Sequence, residues 1–184
     1  MKLELDRCDK PERKAEVLWI ETVKGNERQK FIVYSPSIFG VYQHWTGKRT
    51  VPCFKNRDHC PGGHKEGNRK WRAYVHAWSF KRSEPVFIQL TDEAVNKWYR
   101  QISKGLTLRG QIIYVIRSEK DNGRLHVEVD PNVHPDPKRL PPEVDPLPSL
   151  WRMWAIEPST MQLNSSLVSG PDDIPDLALL GGVG

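Results

Sequence analysis

His44, Cys53, His59, Cys60 and His64 fall within 21 residues, in a stretch otherwise dominated by polar, glycine and proline residues. Thiolates and imidazoles together make the donor set that suits tetrahedral zinc. The run Cys60-Pro61-Gly62-Gly63-His64 has the form of a metal knuckle, because Pro-Gly-Gly supplies the tight bend that brings Cys60 and His64 to one ion. Cys53, Cys60 and His64 are three ligands, and the fourth is His44 or His59. Neighbouring side chains such as His59 and Cys60 rarely reach one ion without strain, which favours His44. With three cysteines in all, a disulfide framework is not expected, and two that sit beside histidines read as metal ligands. The deaminase pattern, HExxH, GxSxG and the phosphate-binding glycine loop are all absent. A structural Zn2+ with four protein ligands is expected, with no catalytic residue and no enzyme activity.

These ligands need a scaffold. Residues 15–24 read as a strand, and Gly25-Asn26 then turns the chain into a second strand at 29–35, which predicts a hairpin. A further segment, 41–46, leads to His44. Residues 47–70 form a long basic loop, of the length that is usually functional or pinned by something, and one metal ion can order it. Strands are predicted at 71–80 and 85–90. Thr91 reads as a helix N-cap with Asp92 and Glu93 in the first turn, and Val95, Trp98, Tyr99 and Ile102 form one apolar stripe facing the core. A last hairpin joins 108–117 to 124–129 through Asp121-Asn122-Gly123.

Charge is unevenly spread over the 184 residues. Residues 1–130 hold 25 Lys and Arg against 16 Asp and Glu, whereas residues 131–184 hold 3 against 7. A basic body with an acidic tail points to a polyanionic partner. Around the loop, Lys48, Arg49, Lys55, Arg57, Lys65, Arg69, Lys70 and Arg72 are candidate phosphate contacts. The strand at 71–80 alternates, so Tyr74 and Trp78 share a face opposite Ala73, Val75 and Ala77. Tyr74 and Trp78 are candidate base-stacking residues, as are Tyr42 and Trp45 beside His44. Seven prolines within 131–149 predict an extended linker. The chain has no membrane-length apolar run and no signal-peptide core at its start, so a cytoplasmic location is expected.

Short strands, one capped helix, and a basic and aromatic composition resemble an OB-fold barrel. A histidine near a strand end, then a cysteine, then a close Cys-containing pair (here His44, Cys53, Cys60 and His64) resembles the zinc site of the helix-destabilising single-stranded DNA-binding proteins of T-even phages. That family has a cysteine where this chain has His64. The segment Asp172-Asp173-Ile174-Pro175 is similar to the acidic tip of bacterial single-stranded DNA-binding proteins, which recruits replication and repair partners. The resemblances imply a phage-like or prokaryotic protein, mainly β with one helix, an OB-like barrel with an inserted zinc loop at 15–130. A flexible N-terminus at 1–14, a Pro-rich linker at 131–149 and an acidic-apolar tail at 150–184 complete it. The expected function is binding of single-stranded DNA, or RNA, with low sequence specificity. The expected pathways are replication, recombination or repair. The alternative is a zinc-containing adaptor that docks a protein partner through its C-terminal segment. A metal-dependent nuclease is the third reading.

Overall fold

The computed structural model describes residues 16–64, 69–102, 107–119, 123–132, 135–157, 161–170 and 172. Eight strands form a mixed sheet. They are β1 (Trp19–Glu21), β2 (Arg28–Val33), β3 (Phe39–Trp45), β4 (Thr50–Pro52), β5 (Arg69–Ser79), β6 (Glu84–Thr91), β7 (Ile112–Arg117) and β8 (Leu125–Val129). Helices α1 (Asp92–Gln101), α2 (Leu147–Trp154) and the short α3 (Met161–Ser165) complete the order. The fold is mainly β, as expected. The pairing path runs β1-β6-β5-β2-β7-β8, with β3 and β4 branching from β5.

β5 organises the sheet. One edge pairs with β6 from Arg72 to Ser79. The other edge is shared, with β3 along Arg69 to Tyr74 and β2 along Ala77 to Ser79. The chain crosses from β2 to β3 where the N–H groups of Tyr34 and Ser35 both donate to the His76 carbonyl. Residues 15–24 and 29–35 do not form the predicted hairpin. Both edges of β2 are taken, by β5 and β7, so β1 pairs in parallel with the open edge of β6.

Alternation along β5 sends Ala73, Val75 and Ala77 to one face, where they join Val33, Ile88, Leu90, Ile113 and Trp98 in a closed core. Thr91 caps α1 by accepting from the Ala94 N–H, and Val95 and Trp98 are buried as expected. Tyr99 departs from the expected stripe and is 51% exposed. Ten residues of helix give an apolar face only wide enough for the positions that meet the sheet. β7 and β8 pair as predicted, although Asp121 and Asn122 of their turn lie outside the described residues.

The opposite face carries a second core that the sequence reading did not foresee. Leu147, Leu150, Trp151 and Trp154 fall at positions i, i+3, i+4 and i+7 of α2, so one stripe of that helix is apolar. The stripe packs on Val41, Phe54 and Tyr74, together with Leu167 and Val168. Ala155 adopts a left-handed conformation after α2; its N–H donates to Arg152, and that of Ile156 to Trp151. This is a Schellman stop. Within 131–149 the described chain is not uniformly extended, since Pro137–Arg139 form a 3-10 turn and α2 begins at Leu147. It is fastened because the Arg109 guanidinium donates to the carbonyls of Pro137, Leu140 and Pro141. The described residues of 147–157 and 161–168 are therefore part of the folded body rather than a separate tail. The expected flexible segment 1–14 lies outside the described residues.

His76 is buried in the middle of β5, its ring 5.2 Å from Tyr34 and 5.5 Å from Phe87. Neither ring nitrogen has a hydrogen-bond partner among the described residues. Burial, and secondarily the Arg109 cation, pushes its pKa down to about 4. The unfolded chain binds this proton near the ordinary value, so stability is complete above that value and falls as pH drops toward 4. We expect up to about 3 kcal/mol of stability to be lost over that window through this residue. A His76→Leu variant should show a flatter stability-versus-pH curve than the parent in urea melts. Parallel curves would exclude this role.

Candidate metal centre

Each ligand is placed by a specific local structure. β3 ends at Trp45 and returns as β4 through a turn in which Thr46 and Arg49 bond and Gly47 takes φ +88°. This hairpin puts buried His44 opposite Val51, two residues before Cys53. The Cys53 N–H donates to Tyr42, and its carbonyl accepts from Val168, so the ligand peptide is held from both sides. Beyond it, the Cys60 N–H bonds to Arg57 and the Gly63 N–H to Cys60, which closes the knuckle. Gly62 is required by packing, since a Cβ there would stand 2.1 Å from His44 Cγ. Gly63 and His64 both take left-handed φ values, of +62° and +48°. The strain at His64 aims its ring inward.

His44, Cys53, Cys60 and His64 are all buried, and their ligand atoms lie within 4.8 Å of one another. His59 is exposed and outside the group, so the alternative between the two histidines resolves to His44. His64 Nε2 lies 2.6 Å from the Phe54 carbonyl oxygen. Donation from Nε2–H would leave Nδ1 free to accept a metal ion, the arrangement by which an outer carbonyl fixes a ligand tautomer. Among the described residues, His64 Nδ1 and both nitrogens of His44 are buried without hydrogen-bond partners. Orphaned buried nitrogens cost about 1–3 kcal/mol each. A disulfide between the cysteines would leave all three orphaned, whereas a cation at the centre would engage one nitrogen of each ring and both sulfurs.

The sulfurs form a coupled pair. The Cys60 thiol is held far below the usual range, first because Cys53 donates to it, against the opposing effect of burial. The nearby His44 ring and the N–H groups of Phe54 and Gly62 add to the lowering. Cys53 is pushed up, first by donating that hydrogen bond and then by burial, with the Arg69 cation opposing. One thiolate is thus already favoured, and a divalent cation would draw the second proton off. Two thiolates would neutralise that cation, leaving a centre without net charge. The set holds four protein donors and no carboxylate.

The expected nucleic-acid residues are only partly brought together. Lys48, Arg49, Lys55 and Arg57 are exposed on the loop, and Trp45, 56% exposed, stands at its base with Lys70 and half-buried Arg72. Arg69 lies 5.2 Å over the Tyr42 ring and screens it. Tyr74 is not a stacking surface, because it is 1% exposed and its hydroxyl accepts from the Gln43 and Gln89 amides. Trp78 pairs with Ile32 and Pro85, eight residues along β5 from Lys70, which is roughly 26 Å of strand. It is half-buried there and does not share the surface of the loop. Asp172 is exposed. Lys65, Asp173, Ile174 and Pro175 lie outside the described residues. No helix among the described residues is long and apolar enough to cross a membrane. No family model matches this chain, nor does any curated protein or solved structure.

Proposed function

We propose that this chain binds single-stranded nucleic acid, DNA by preference, through a cationic loop held in place by a structural Zn2+. The convergence of four buried soft and borderline donors carries the reading. It gives a hydrophilic loop a reason to be rigid, and the rigid loop displays Lys48, Arg49, Lys55 and Arg57 beside an exposed tryptophan. Cations arranged on a fixed frame release counterions from a phosphate backbone without an ordering cost on binding. An aromatic at the edge of the sheet adds base stacking that is indifferent to sequence. A role in replication, recombination or repair goes with this proposal. The OB-like barrel goes with it too, carried by the resemblance; the function needs only the sheet and the loop.

The test is titration of the zinc-loaded chain with single-stranded oligonucleotides at several salt concentrations. A steep fall of affinity with salt is expected, and the Lys48→Ala/Arg49→Ala double variant should flatten the log–log slope by about 2. Absence of binding to DNA and RNA strands at low salt would reject the function.

The adaptor reading has an observation of its own. Val17, Trp19, Ile20, Ser149 and Met153 line a recess of about 540 Å³ between β1 and α2, with Trp19 58% exposed. Retention of a protein partner that is lost on Trp19→Ala, with no oligonucleotide binding, would favour it. The nuclease reading finds no support in a site that, among the described residues, has four protein donors and no carboxylate.

A further inference from the structure

β3, β5 and β6 lie side by side, and their registers set Gln43 opposite Lys70, Arg72 opposite Thr91 and Tyr74 opposite Gln89. Directly paired residues share a face of a sheet, as do alternate residues along a strand. Gln43, Lys70, Arg72 and Gln89 therefore converge, and Trp45 lies two residues beyond Gln43 on the same side. They line a cavity of about 390 Å³, within the range of small-ligand sites. The buried Tyr74 hydroxyl accepts from Gln43 and Gln89, so both amides are held in place.

Among the described residues, the lining includes two cations and no carboxylate. Among the described residues, neither Lys70 nor Arg72 has an ion-pair partner. Arg72 is half-buried, and among the described residues its guanidinium donates only to the Trp71 carbonyl, at 2.9 Å. A desolvated cation beside a second cation calls for an anion. An exposed indole at the rim calls for a flat ring. Fixed amides call for a polar ring edge. A nucleotide unit carries all three.

We infer that this cavity is a single-nucleotide subsite, resting on the function proposed above. One unstacked base of a bound strand lies against Trp45, its edge meets the Gln43 and Gln89 amides, and Lys70 and Arg72 hold the adjoining phosphates. A base inside a duplex reaches the cavity only after unpairing and unstacking, at a cost of a few kcal/mol. The subsite thus selects single strands over duplexes. His44 forms part of the cavity wall, so a metal bound to His44 would also shape this subsite.

The experiment compares the zinc-loaded full chain with Trp45→Ala, Trp45→Tyr and Arg72→Gln variants. The probes are a short oligothymidylate, the same sequence as a duplex, thymidine monophosphate and inorganic phosphate. Trp45 is exposed, so its replacement should leave the melting temperature unchanged. Trp45→Ala should weaken single-strand affinity about tenfold, and Trp45→Tyr should restore most of it. Arg72→Gln should lower the affinity and reduce the salt slope by about 1. Weak competition by thymidine monophosphate but not by phosphate is expected. Parental affinity in Trp45→Ala, or equal binding of the duplex, overturns the subsite while leaving single-strand binding intact. Binding of thymidine monophosphate with none of the strand overturns strand selection and marks a free-nucleotide site. No binding of any oligonucleotide by the parent chain rejects the proposed function and this inference together.

Discussion

Cys60→Ser is expected to abolish metal binding and lower the melting temperature by about 10 °C. The serine hydroxyl is not a thiolate at neutral pH, so the variant keeps three of the four donors and loses the sulfur that is most readily ionised. Once the ion leaves, the His44 and His64 nitrogens that face it are buried with nothing to bond. Two such groups at about 1–3 kcal/mol each, with the lost ordering of the loop, make a deficit of at least about 3 kcal/mol. In a chain of this length, each kcal/mol moves the midpoint by roughly 2–4 °C. Cys53→Ser should behave alike and His59→Ala should change neither property, since His59 is exposed and outside the group. Metal content by mass spectrometry, taken with the thermal melt on one preparation, decides the matter. Retention of stoichiometric metal and an unchanged melt in Cys60→Ser would mean that these four side chains are not the ligand set.

The site was readable from the chain because its chemistry is local in sequence. Soft donors, a bend of Pro-Gly-Gly and a loop too long to stand alone lie between residues 44 and 64. Even the choice of His44 over His59 followed from the strain of adjacent ligands. The long strands and the helix cap at Thr91 were legible for a similar reason, as alternation and capping are properties of neighbouring residues.

Pairing was less legible. The turn at Gly25-Asn26 is real, with Asn26 at φ +60°, but competition for the edges of β2 sends β1 to β6. Alternation alone places Tyr74 on a solvent face. Its face is covered by α2 and the strand-like segment at Leu167, whose Leu150 and Leu167 lie 76 and 93 residues further along the chain. Gln43 and Gln89 escaped notice because amides carry no motif, and only the register of three strands brings them together.

The same long-range covering makes Trp154→Ala the second substitution of large effect. High proline density marks residues 131–149 as extended, and the segment that follows was expected to be separable from the body. Yet Trp154 is fully buried, meets Trp151 edge to face at 5.3 Å, and Trp151 stacks on Phe54 at 6.4 Å. Phe54 follows the ligand Cys53 directly, and its carbonyl oxygen lies against His64. Loss of a fully buried indole costs about 3–5 kcal/mol. The expected melting temperature is therefore lower by about 10 °C or more. A detached tail would give no change at all. The consequence extends to the metal, since the wall that excludes water from Cys53 and Cys60 is made partly by α2 and Leu167. Trp154→Ala should also release its metal to a chelator faster than the parent, although no ligand is altered. Parental stability and parental release rate together would show that α2 does not pack on the metal loop. A destabilised chain that keeps the parental release rate would show that the second core and the metal centre are independent.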